Sequence, residues 1–390
     1  MKSHDLDIIP RDPLVLRDGR PFGQSGVATT GAFLWPRPGT VIGMVRSYIG
    51  KCRDTKYFDR PCAEHIQEIK KIRLEAFTPY LDEKQGCQLC YPAPADAIAF
   101  PVSTQDNSEM LDIKPIRPTT LDEDEGTDIS HTDWMYPWIN DPRKPASMPL
   151  FWRWDYMKEW LEKGSLSSSR GFSPKQLGIV SPEESERTHI AIDKKTGATE
   201  ESKLFTSSGI EFSQPVGIAT RIGLADEDKV PERDMAVLGA DRGLVGLRWA
   251  KKRFEWPTLP RIYDDIMGLR LILRTPGLFK GGWVPEWLKP SLNGSWITAP
   301  GTDYQLRLRS ACIPRWHACH GWDMSIGKNG APKALRKMIP AGAVFFVELA
   351  DPASAKEIAA TLWDMSMCED EQDIRDGFGR ILVGNWLRTY

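Results

Sequence analysis

The order of strands and helices predicts an α+β fold: two ferredoxin-like domains, with irregular insertions and a β-hairpin. Three observations carry this. In the last third of the chain, period-two apolar runs and a helical pattern fall in the order strand, weak helix, strand, strand, helix, strand. The N-terminal half opens the same way, with a strand, a helix and two strands. The chain then closes on Gly377-Phe378-Gly379-Arg380 and an apolar run from Ile381 to Val383, which reads as a loop feeding a buried strand. A dinucleotide-binding turn is excluded there. Only six residues follow Gly384, so no helix remains to present its amides to a pyrophosphate.

Taken in order, Asp5 to Ile9 alternates polar and apolar residues as a first strand, which Pro10-Arg11-Asp12-Pro13 interrupts. Thr40 is placed to cap a helix whose Val41, Val45 and Tyr48 share one face. Ile72, Leu74 and Ala76 alternate with Arg73 and Glu75 as a further strand. Residues 103 to 150 are proline-rich, acidic and aperiodic, and read as an irregular insertion. The tryptophan-rich stretch from Phe151 to Lys163 reads as a helix. Thr188 to Ile192, a turn at Asp193 to Gly197 and Leu204-Phe205 form a hairpin with Lys194 and Lys195 at its tip. Leu269, Leu271 and Leu273 alternate with Arg270, Ile272 and Arg274, which predicts a strand with one apolar face. Leu306 and Leu308 repeat that pattern with Arg307 and Arg309, and Ala343 to Leu349 is an apolar run of strand length. Between the first two of these strands, Glu286-Trp287-Leu288 is at most a weak helix. Asp351 and Pro352 supply the cap and first turn of a helix that buries Ala355, Ile358, Ala359 and Leu362. The resulting domains are 1–255, with insertions over about 103–185 and the hairpin over about 187–205, and 256–390, joined near Phe254 to Pro260.

Hydrophobic residues at 41% and charged residues at 27% are ordinary for a globular protein with real cores. No apolar run approaches the roughly 18 residues of a membrane helix, and the N-terminus lacks the apolar stretch of a secretory leader. The expected compartment is the cytoplasm, with no membrane partner. Seven cysteines, an odd number, do not read as a disulfide framework. The net charge of −2 excludes a free-standing nucleic-acid binder that works by overall charge. Asp122, Glu123, Asp124, Glu125 and Asp128 fall in one stretch, however, and without them the remainder is net basic. A nucleic-acid surface on this chain is therefore local and shared with partners.

The chain carries Asp12-Pro13-Leu14-Val15-Leu16-Arg17-Asp18-Gly19-Arg20-Pro21-Phe22 and Trp35-Pro36-Arg37-Pro38-Gly39-Thr40-Val41-Ile42-Gly43-Met44-Val45-Arg46. Pro92-Ala93-Pro94-Ala95-Asp96, Arg187-Thr188-His189, Gly281-Gly282-Trp283-Val284-Pro285, Pro340 to Phe346 and the closing glycine-rich loop follow in order. This set resembles the RAMP superfamily of CRISPR-associated proteins, and within it the family of third subunits of the Cmr (type III-B) effector complex. Leu238-Gly239-Ala240-Asp241-Arg242-Gly243 departs from the more glycine-rich turn expected there, and the acidic insertion near 122 is also a departure. The resemblance implies two RRM-like (RAMP) domains and a non-catalytic subunit that holds the repeat-derived 5′ handle of the CRISPR RNA. Its implied partners are that RNA, the large polymerase/cyclase-type subunit and the backbone RAMP subunits, with target RNA met only indirectly.

The candidate RNA-binding residues are Arg17, Arg20, Arg46, Arg187, His189, Lys194, Lys195, Lys280, Gly377, Gly379 and Arg380. Bare glycine amides suit close approach to phosphates, and arginines clamp them bidentately. Each has a plainer reading. The glycine loop serves equally as a tight turn into the last strand, the arginines as intrachain ion pairs, and the lysines as solvated charges. Arg248, Lys251, Lys252 and Arg253, interleaved with Trp249, Phe254 and Trp256, read either as a basic-aromatic RNA surface or as a protein interface. Fifteen tryptophans are enough for several to mark subunit interfaces.

No metal or cofactor is expected. Cys87-Gln88-Leu89-Cys90 has the spacing of one zinc knuckle, with His317, Cys319 and His320 as further ligand types, but no second Cys-x-x-Cys exists. The alternative function is a RAMP-family, metal-independent endoribonuclease processing repeat RNA, with His189 as general acid or base. A structural histidine is the competing reading of that residue.

Overall fold

Leu6 and Ile8 of the N-terminal strand are fully buried, and so are Asp5 and Asp7, which alternate with them. Both faces of this strand are covered, one by apolar side chains and the other by paired charges. The computed structural model describes residues 1–16, 33–58, 63–84, 86–102, 109–120, 133–324, 326 and 330–388. The chain forms two units: Met1–Gly86 with Ser181–Phe254 and Ala318–Arg336, and Cys87–Val180 with Glu255–His317 and Lys337–Tyr390.

In the first unit, antiparallel strands lie in the spatial order Arg233–Leu238, Gly243–Ala250, Lys2–Pro10, Val216–Leu224, Arg73–Glu83. The inner strands thus stand fourth, first, third, second. The helix Pro38–Arg53 buries Val41, Ile42, Val45 and Ile49 against Leu6, Ile8, Leu74, Ile218, Ile222, Val245 and Leu247. This helix starts earlier than expected. Pro38 is its first residue, where the missing N–H costs nothing, and Arg37 precedes it without a side-chain cap. Thr40 therefore lies inside the first turn and is not the cap.

The sheet's other face holds the carboxylates. Asp7 accepts the Tyr80 hydroxyl at 2.6 Å and Arg253 Nε at 2.8 Å. Asp5 pairs with Arg221 Nε at 3.1 Å and accepts the amides of Arg253 and Phe254 at 2.7 and 2.9 Å. Arg253 and Phe254 are thereby tied back to the first strand.

The hairpin is longer than expected, with arms Glu183–Ile192 and Thr199–Glu211. Asp193 Oδ1 accepts the amides of Lys195 and Thr196 at 2.6 and 3.0 Å, which fixes the turn. At the base, Leu14 and Ile210 exchange backbone hydrogen bonds, and both side chains enter the core.

In the second unit, the strands Gln305–Cys312, Val344–Leu349, Ile266–Leu273 and Ile381–Leu387 lie in that spatial order, with Ile297–Thr298 outside the first. Helix Ala355–Leu362 buries Ala355, Ile358, Ala359 and Leu362, as its spacing predicts. A 3-10 turn over Pro352–Ser354 precedes it, with Asp351 accepting the Ala353 amide at 3.0 Å. The weak helix is a 3-10 helix, Glu286–Asn293, which accommodates Pro290.

One expectation is overturned in Ile266–Leu273. Leu269, Leu271, Ile272 and Leu273 are all buried, and Arg270 is only 3% exposed, so the strand has no solvent face. Arg270 Nη1 meets Asp96 Oδ2 at 2.7 Å, Nε donates to the Asn385 carbonyl at 2.8 Å, and Nη2 donates to the Trp160 carbonyl. The Trp160 indole N–H donates to the other Asp96 oxygen at 2.9 Å. Arg274, the other residue expected on that face, is likewise buried and pairs with Asp364 at 2.8 Å.

Asp96 and Trp160 belong to 87–180, a segment that the strand pattern alone assigns to the N-terminal domain; these contacts bind it to the C-terminal sheet instead. Nor is the segment wholly irregular. Ala97–Val102 pairs with Met110–Pro115, Arg117–Thr119 pairs with Tyr136–Trp138, and Trp154–Lys163 is a helix after the short strand Phe151–Arg153. The acidic stretch from Asp122 to Asp128 lies outside the described residues. Helix and sheet pack closely enough that a Cβ on Gly384 would stand 2.8 Å from the Leu161 carbonyl oxygen.

Removing one member of a buried ion pair strands the other, which typically costs about 3–5 kcal/mol. Arg270→Met is expected to lower the urea midpoint accordingly, and adding Asp96→Leu is expected to recover part of the loss. An unchanged midpoint for the single variant would contradict this role.

Candidate nucleic-acid interface

The outer arm of the hairpin, Glu183–Ile192, alternates but buries neither face. Arg187, Lys194 and Lys195 are exposed, and none makes an ion pair among the described residues. Ile190 and Ile192 stand 51% and 57% exposed beside them. His189 is half-buried, with Nε2 2.8 Å from Ser207 Oγ and 4.0 Å from an Asp241 carboxylate oxygen.

Asp241 belongs to the turn between strands Arg233–Leu238 and Gly243–Ala250. There Asp241 and Arg242 hold φ of 53° and 54°. Left-handed backbone costs a non-glycine residue roughly 1–2 kcal/mol. The turn is fastened by Ala240, whose amide donates to the Val15 carbonyl at 2.8 Å. Arg242 is exposed at its tip. It was not among the sequence candidates; the departure of Leu238–Gly243 from a glycine-rich turn was the available signal.

The other candidates are placed differently. Arg17 and Arg20 lie outside the described residues. Arg46 turns inward, with Nε and Nη2 donating to the Ile72 carbonyl at 3.2 and 2.7 Å and Nη2 also to the Lys70 carbonyl at 3.2 Å. It thereby serves the end of helix Ala63–Lys70. Lys280 is exposed in the second unit, and its amide donates to Glu369 at 3.1 Å.

At the closing loop, Gly377 and Gly379 hold φ of 87° and 71°, which confirms a positive-φ turn. Its amides are spent inside the protein. Gly377 donates to Ile374 O at 3.1 Å, Phe378 to Asp373 O at 3.0 Å, Gly379 to Pro276 O at 2.8 Å and Arg380 to Thr275 Oγ1 at 3.0 Å. The Arg380 guanidinium donates to the Asp364 carbonyl at 2.8 Å. The geometry is that of a tight turn into the last strand, with no amide left over to cradle a phosphate.

The basic-aromatic stretch is also dismantled. Trp249 and Phe254 are buried, and Arg253 is held by Asp7, leaving Lys251 and Lys252 outside. Cys87 and Cys90 lie in strand Gly86–Pro92, where residues three apart point to opposite faces and do not converge on one ion. Among the described residues, no group of three or more histidine, cysteine or acidic side chains is arranged to hold a metal. No helix among them is long and apolar enough to cross a membrane.

The family described as CRISPR-associated protein (Cas_Cmr3) matches residues 6–386, nearly the whole chain. The chain belongs to this family. It is thus of the type III-B CRISPR effector-subunit kind, as the motifs from Asp12 to the closing loop implied. The chain is also similar to chains in two cryo-EM structures of the type III-B Cmr-beta. One, bound to cognate target RNA and AMPPnP, shows 15% identity over 88% of this chain and 86% of that chain, with a TM-score of 0.44. The other, bound to cognate target RNA, shows 16% identity over the same shares, with a TM-score of 0.45. No curated protein matches the chain.

A Cβ on Gly379 would stand 2.6 Å from Cys368 Sγ and 3.0 Å from the Cys368 nitrogen, at a φ that side chains rarely adopt. Gly379→Ala is expected to destabilise the protein by about 1–3 kcal/mol, read as a lower melting temperature, while RNA affinity of the folded protein is unchanged. Lost affinity at full stability would instead assign the loop a direct RNA contact.

Proposed function

We propose that this chain is a non-catalytic, RNA-binding subunit of a type III-B CRISPR effector complex. In this reading it holds the 5′ handle of the CRISPR RNA and joins the large polymerase/cyclase-type subunit to the backbone filament. The observation that carries the RNA-binding role is the hairpin Glu183–Glu211. It is anchored in the core at Ile210 and presents Arg187, Lys194 and Lys195 to solvent without carboxylate partners among the described residues. Cations free of intrachain pairs lose little on meeting phosphate, and releasing counterions from the RNA favours that contact. Exposed Ile190 and Ile192 add apolar surface for ribose alongside.

The spatial order of the inner strands, fourth, first, third, second in each unit, supports reading both as ferredoxin-like. Each has one crossover without a full α-helix: strand Arg233–Leu238 in the first unit and the 3-10 helix Glu286–Asn293 in the second. Against the ribonuclease alternative, His189 Nε2 already contacts Ser207 of the other arm, which supports a positioning role within the hairpin.

The test is handle-RNA binding by the assembled complex as a function of salt. Replacing Arg187, Lys194 and Lys195 together by alanine is expected to weaken binding and to flatten the plot of log affinity against log salt, by about 0.7–1 for each phosphate no longer neutralised. An unchanged slope would remove the hairpin from the interface. Metal-independent cleavage of repeat RNA that disappears with His189→Ala would favour the ribonuclease.

A further inference from the structure

Strand Arg233–Leu238 is an edge. It pairs with Gly243–Ala250 on one side, and among the described residues no strand lies on the other. Exposed edges are usually blunted by proline, lysine or a bulge, because their free N–H and C=O groups recruit another strand. From Met235 to Leu238 this edge has no charge or proline, and its register with the neighbouring strand is unbroken.

The side chains alternate. Ala236 and Leu238 pack toward the core, whereas Met235 and Val237 point out and are 45% and 42% exposed. Leu244, directly opposite Val237, is 38% exposed on the same outer face. The charge left without an ion-pair partner on this face has one sign among the described residues. Arg233 stands directly opposite Arg248, a repulsive pairing. Arg11 Nε lies 3.5 Å from where a Cβ on Gly246 would be, over the same strand. None of these arginines makes an ion pair among the described residues. The carboxylates of this face, Asp5 and Asp7, are taken by Arg221, Arg253, Tyr80 and backbone amides. Of the neighbouring acids, Asp234 accepts the Tyr48 hydroxyl and also the Met235 amide at 2.8 Å, a bond the incoming strand must displace, and Asp12 accepts the Leu244 amide.

We infer that this edge receives an extended segment of a partner protein, added as a further strand beside Arg233–Leu238, whose outward-facing side chains, every second residue, include both apolar and acidic ones. Main-chain hydrogen bonds supply the pairing, Met235, Val237 and Leu244 take the apolar side chains, and Arg11, Arg233 and Arg248 take the acidic ones. A protein fits this surface better than RNA does. The outward side chains are aliphatic, and bases need aromatic platforms to stack on. The inference rests on the proposed membership of a multi-subunit complex, and the experiment separates the two.

The experiment installs the photo-crosslinker benzoylphenylalanine in place of Val237, assembles the complex with its other subunits and CRISPR RNA, and irradiates it. The expected product is a covalent adduct with one protein subunit, mapped by mass spectrometry to a segment containing Asp or Glu. Met235→Asp in the same chain is expected to abolish the adduct while leaving the circular dichroism spectrum unchanged, since Met235 is exposed. An adduct with RNA, or none in an assembled complex, overturns the inference. Failure of the unmodified chain to enter the complex overturns the proposed function instead.

Discussion

The ion pair between Arg270 and Asp96 is the contact on which the second unit depends. Each is almost fully buried, and together with Trp160 and Asn385 they satisfy one another's donors and acceptors. Such a pair adds little net stability over an apolar replacement, but it is severe toward any packing that separates its members. It therefore acts as a positional constraint: the segment around Asp96 and the helix carrying Trp160 have one place on the C-terminal sheet where both charges are met. The first unit repeats the device with Asp5 and Asp7, which hold Arg221, Arg253 and Tyr80 on the face opposite its main helix.

That constraint also explains what was legible in the sequence. Where one face is apolar and the other meets water, periodicity suffices: Ala355, Ile358, Ala359 and Leu362 were readable as a buried stripe, and Asp351 as its cap. Arg270 defeated the same logic, because alternation marks a polar residue without telling whether its partner is water or a carboxylate 174 residues away. Trp249 and Phe254 failed for a related reason. Aromatics between basic residues suit RNA stacking and core packing equally, and only the tether of Arg253 to Asp7 decides between them.

The candidate interface was half visible. The hairpin tip could be read from Asp193 to Gly197, and its cations are exposed. The glycine-rich loop was equally conspicuous, yet its glycines answer to backbone geometry: φ of 87° and 71° beside a closely packed Cys368. Sequence shows that such a loop must bend; it does not show where its amides go. Cys87 and Cys90 carry the same lesson, since ligand spacing is meaningful on a knuckle and empty on a strand.

The proposed RNA recognition rests on the hairpin of the first unit and not on the closing loop. Ultraviolet crosslinking of the wild-type complex, with peptide–nucleotide adducts of this chain mapped by mass spectrometry, tests that claim most directly. Adducts between peptides of the 183–211 hairpin and the 5′ handle are the predicted result. Adducts at residues 376–380 with none on the hairpin would contradict it.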